Sequence, residues 1–109
     1  MNQPAKPLYV ARALHGVGVA QGDRVGVIGY GFDSFWARLA GVKIVAEMLE
    51  SDANDFWRGD EALRKNVLQA FARAGARAVI AENVPEDARL NDWYQVGNSN
   101  YYIYVFIEQ

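Results

Sequence analysis

The chain has 109 residues, of which 51% are hydrophobic and 13% aromatic, with a formal net charge of −2 and no cysteine. A chain of this length and composition is one domain, residues 1–109, with enough apolar material for a real core, which excludes disorder beyond the first six residues. The charge excludes nucleic acid as a partner, because phosphate binding needs a basic face and no basic run exceeds Arg64-Lys65; the missing cysteine excludes disulfides, thiolate catalysis and cysteine–zinc sites.

Met1–Pro7 holds no apolar signal-peptide core, and no apolar run approaches the roughly 18 residues of a membrane helix. The chain as given is expected to be soluble. Residues 7–15 are predicted to be a helix, with Pro7 at its first position and Val10, Ala13, Leu14 and Val17 on one stripe. Gly16 and Gly18 end it. Arg24–Ile28 is the first predicted strand, broken by Gly29 and Gly31. Phe32, Phe35, Trp36, Leu39 and Ala40 then recur at helical spacing, and Gly41 is a good C-terminal stop. Val42–Met48 is the second predicted strand, nearly continuous in apolar residues apart from Lys43 and Glu47.

A polar loop is expected over Glu50–Gly59, carrying Phe56-Trp57. Asp60–Ala74 gives the clearest helical pattern, with Leu63, Val67, Ala70, Phe71 and Ala74 on one face, acids in the first turn and Gly75 after the end. Arg77–Ala81 is the third strand, and Pro85–Leu90 a loop or single turn. Trp93–Val96 and Tyr101–Ile107 flank Gly97-Asn98-Ser99-Asn100, a closing hairpin with a four-residue loop.

Strands that alternate with helices need crossover connections, so the first three strands should be parallel, with the first central. The expected fold is an α/β three-layer Rossmann-like sandwich, its mostly parallel sheet of about five strands ending in a C-terminal antiparallel hairpin. The topological switch point then falls beside Gly29–Asp33, where such folds place ligands.

Two readings of that turn stand side by side. Backbone N–H groups at Gly29, Gly31, Asp33 and Ser34 could hold a nucleotide-like anion, with Glu47, 18 residues after Gly29, on a ribose; the third glycine of the dinucleotide fingerprint is replaced by Ser34. Alternatively the glycines only make a tight turn, and Asp33 is an N-cap or first-turn acid. Asp33, Glu47, Glu50, Asp52 and Glu82 should gather at the C-terminal edge of the sheet and repel anions there. No pair of acids is singled out for catalysis, and no metal or cofactor is assigned. His15, the lone histidine, sits at a helix C-terminus and is expected to be a surface or capping residue and not a base. No serine lies in G-x-S-x-G, and no P-loop occurs.

Tyr101–Ile107 is apolar on both faces. It is either a near-central strand covered on both sides, or a surface for a protein partner or a second copy of the chain, to which Trp57 and Trp93 would add.

Residues 11–28, Ala-Arg-Ala-Leu-His-Gly-Val-Gly-Val-Ala-Gln-Gly-Asp-Arg-Val-Gly-Val-Ile, resemble the opening helix and strand of adenylate-forming enzymes. The Ser/Thr/Gly-rich phosphate loop of those enzymes is absent, so the likeness implies shared helix–turn–strand grammar and no adenylation. A second resemblance spans almost the whole chain. It is carried by Gly22-Asp23-Arg24-Val25, Tyr30-Gly31-Phe32-Asp33, Phe35 to Val42, Ile44-Val45-Ala46-Glu47, Phe56-Trp57 and Tyr101-Tyr102-Ile103-Tyr104. These are similar to an uncharacterised Rossmann-like bacterial domain, the soluble C-terminal module of multi-spanning membrane proteins related to glycosyltransferases. That resemblance implies a non-cytoplasmic accessory module whose partner is its parent membrane protein, and it carries over no catalytic residue. The function expected is therefore a non-catalytic accessory or interaction module, with a small-ligand binder or minor enzyme at the Gly29–Ser34 turn as the alternative.

Overall fold

A computed structural model describes residues 5–29, 35–85, 88 and 92–106. The elements run α1 (Ala5–Gly16), β1 (Arg24–Ile28), α2 (Phe35–Ala40), β2 (Lys43–Met48), α3 (Glu50–Arg58), α4 (Glu61–Arg73), β3 (Ala78–Ala81), β4 (Tyr94–Gln95) and β5 (Tyr102–Val105). The five strands form one open sheet in the order β2-β1-β3-β5-β4. β1 pairs in parallel with β2 on one side and β3 on the other; β5 is antiparallel to both β3 and β4. The central position of β1, the parallel trio and the closing hairpin all agree with the sequence pattern.

Three helices end in the same way. After α1, Gly18 N–H donates to His15 O and Val19 N–H to Leu14 O; after α2, Gly41 N–H donates to Arg38 O and Val42 N–H to Ala37 O. After α4, Gly75 N–H donates to Ala72 O and Ala76 N–H to Phe71 O. Each pair is a Schellman closure, which needs a left-handed residue, and each of these glycines has positive φ. Each closure hands the chain to the start of a strand. Helix α4 begins with equal clarity, since the Asp60 carboxylate accepts from Leu63 N–H at 2.9 Å.

The alternation of strand side chains sorts the core into two clusters. Val25, Val27, Ala78, Ile80 and Ile103 pack with Val10 and Leu14 of α1 and with Trp36, Ala37 and Ala40 of α2. Ile28, Val79 and Ala81 pack with Ala53, Phe56 and Trp57 of α3 and with Phe71 of α4. Tyr102, Tyr104 and Phe106 join the second cluster, where rings meet in series from Phe56 through Trp57 and Trp93 to Tyr104 and Phe106, edge to face except for the tilted Trp93–Tyr104 pair.

Several expectations need correction. Glu50–Gly59 is not a loop, because α3 occupies it and buries Ala53, Phe56 and Trp57, which recur at helical spacing. Trp57 is therefore core, 4% exposed, and not part of a contact surface. On α2 the buried face carries Trp36, Ala37 and Ala40, leaving Phe35 and Leu39 exposed. On α4 only Phe71 is fully buried, and Leu63, Ala70 and Ala74 face outward. β2 alternates between exposed and half-buried residues, as befits a strand at the sheet margin. It also carries a bulge. Val25 pairs with Ile44 and Gly26 with Ala46, so Val45 is the extra residue. The bulge lets Ile44 pack in the first cluster while Ala46 and Met48 pack in the second.

Candidate functional site

The connection from β1 leads to β2 on one side, and the chain then crosses back to β3 on the other. The switch point therefore lies between the C-terminal ends of β1 and β3. Gly29 sits there. Its N–H donates to Met48 O at 2.9 Å, and Glu82 N–H donates to Ile28 O at 2.9 Å. Gly29 has φ +125, and a Cβ at this position would come within 3.1 Å of the Glu82 Cβ. The glycine thus lets β1 turn away directly against the Glu82 side chain. Asn83, next along, is held at φ +54, a left-handed conformation that Asn tolerates. The Tyr101 phenol lies in the same corner. Burial pushes its pKa up, and the negative charge of Glu82 pushes it further.

The other sequence-predicted residues are distributed less closely. Gly31, Asp33 and Ser34 lie outside the described residues. Glu47 is exposed on β2, opposite Val27 and one step before the strand end. Asp52 is exposed on α3. Among the described residues no three His, Asp or Glu side chains come together as a metal site. His15 does cap a helix, though not its own: its Nε2 is 3.2 Å from the carbonyl oxygen of Ala40, the last residue of α2. A carbonyl only accepts, so Nε2 carries the proton. At the opposite end of the sheet, Arg77 Nε is 3.5 Å from Asp23, a partly exposed pair of small energetic weight.

The aromatic strand is interior. β5 has β3 on one edge and β4 on the other, with Tyr102 and Ile103 paired on both sides. Its residues are half-buried or, for Ile103, fully buried; Ile107 lies outside the described residues.

A concave feature away from that corner escaped the sequence reading. A groove of about 400 Å³ runs between α1 and the β4 hairpin. Tyr9, Arg12 and Gly16 of α1 line one wall, Tyr94 and Gly97 the other, and Ala13, Val17 and Val96 are the apolar lining between them. Tyr9 and Tyr94 remain 57% and 51% exposed. The signal in the sequence was the spacing of Tyr9, Arg12 and Gly16. They form a second stripe beside the core stripe of α1, with a large ring on what should be the solvated face.

The chain matches no protein-family model, no curated protein and no solved structure. Among the described residues no helix is long and apolar enough to cross a membrane.

Proposed function

We propose that this protein is a non-catalytic accessory module, a three-layer Rossmann-like sandwich that binds a protein partner through the groove between α1 and β4. The observation that carries this reading is the pair Tyr9 and Tyr94. Two tyrosines more than half exposed, on either side of an apolar groove, are the composition of a contact surface. A parent membrane protein is one form such a partner can take. Self-association through Tyr101–Ile107 is a weaker form of the same reading, since a second copy would have to displace β4 to reach the edge of β5.

Site-specific photocrosslinking in the native host tests the groove. A benzophenone side chain at position 9 or 94 should capture a discrete protein adduct, and the same group at the exposed Lys65 of α4 should not. Equal adducts from all three positions, or none from the groove, would refute the assignment.

A second reading is supported by the corner where Gly29 meets Glu82 at the switch point, a small-ligand site using the Gly29–Ser34 turn and Glu47. A thermal-shift panel of nucleotides, sugar nucleotides, S-adenosylmethionine and divalent ions addresses it. A true ligand well above its Kd should stabilise by about 2–4 kcal/mol, and Glu47→Ala should reduce that gain.

A further inference from the structure

The groove has a direction as well as a composition. β4 is the last strand of the sheet and pairs only with β5 among the described residues. Val96 N–H donates to Tyr101 O at 2.9 Å, and Tyr94 stands opposite Ile103, two residues further along the same antiparallel ladder. Gln95 lies between them, so its backbone N–H and C=O point away from β5. Tyr94 and Val96, the neighbours of Gln95 on either side, line the groove, so this margin borders it. Its one charged lining residue is Arg12, which is exposed and makes no ion pair with a described residue. The other margin of the sheet is guarded. β2 has its bulge at Val45, and the register puts Lys43 beside Arg24 and Glu47 beside Val27, on opposite faces.

We infer that the groove takes an extended acidic segment of a partner protein. The segment's backbone pairs with the outward N–H and C=O of Gln95, its carboxylate meets Arg12, and an apolar side chain lies on Ala13, Val17 and Val96 between the two tyrosines. A helical segment would leave Gln95 unused, because its own backbone groups are already paired. A small molecule would keep much of its surface in water in a groove this open. A basic segment would face Arg12 with like charge. The inference rests on the groove being the contact surface.

The test is selection of a random heptapeptide library against the full chain, followed by titration and amide hydrogen exchange with the selected peptides. Selected sequences should pair an Asp or Glu with an apolar residue. Binding should weaken about ten-fold in Arg12→Glu, hold in Arg12→Lys, and fall with added salt. Exchange of the Gln95 amide should slow about ten-fold or more, because it gains a hydrogen bond. Peptides that shift groove residues but carry no acid, ignore Arg12→Glu and leave Gln95 exchange unchanged would overturn the acidic strand and leave the groove standing. Peptides that map elsewhere, or a library that yields none, would overturn both.

Discussion

The two faces of the sheet are built from different material. One packs Val10, Leu14, Val25, Val27, Ile80 and Ile103 around a single tryptophan, Trp36. The other packs Phe56, Trp57, Trp93, Tyr104 and Phe106 as a run of rings, with Phe71 in the same cluster. The branched residues of β1 point to the first face at Val25 and Val27, whereas at Gly26 the second face has no side chain at all. A Cβ on Gly26 would overlap the Phe71 ring. The aromatic face thus depends on one missing methyl group at the centre of the sheet, where the aliphatic face depends on many interchangeable ones.

The contrast can be broken most strongly at its largest rings. Phe56→Ala should cost about 4 kcal/mol, against about 2 kcal/mol or less for Val25→Ala on the other face, both read from urea denaturation. Similar losses would remove the distinction. Gly26→Ala should cost about 2–3 kcal/mol through overpacking, and a second change, Phe71→Leu, should recover part of that loss. Additive costs in the double variant would show that Gly26 is not shaped by Phe71. Trp57→Phe should move stability by less than about 1 kcal/mol, because the buried indole N–H has no acceptor among the described residues and removing it offsets the lost volume.

The smallest effect concerns the aliphatic face, which carries Tyr101. Its phenol has a raised pKa in the folded chain, so above the ordinary tyrosine pKa of about 10 the unfolded state loses the proton first. The stability contributed by the neutral phenol is full below that pH and is lost as pH rises through the folded value. Denaturation at about pH 8 and about pH 11 should show a larger loss for the wild-type chain than for Tyr101→Phe. Equal losses would place the phenol outside the influence of Glu82 and the core.

Much of this architecture is legible in the residues. Gly18, Gly41 and Gly75 announce three helix ends, and each is followed by a short apolar run that becomes a strand. The hairpin around residues 97–100 is equally plain. Helix α3 was obscured by Glu50, Ser51, Asp52, Asn54 and Asp55, which look like loop composition; the spacing of Ala53, Phe56 and Trp57 held the true period. The bulge at Val45 has no local signature, since it is set by what β1 and the two clusters require of β2. The groove was hidden for a related reason. Tyr9 and Tyr94 are 85 positions apart in the chain, and only the return of β4 beside α1 brings them to one surface.

Val45 also keeps the chain from becoming its own template. Without that extra residue β2 would be a regular edge strand, its outward N–H and C=O groups in an unbroken row. Two such margins could then pair edge to edge and join one sheet to another. A chain with Val45 deleted should therefore be found by light scattering as dimers or larger assemblies, at concentrations where the parent stays dispersed.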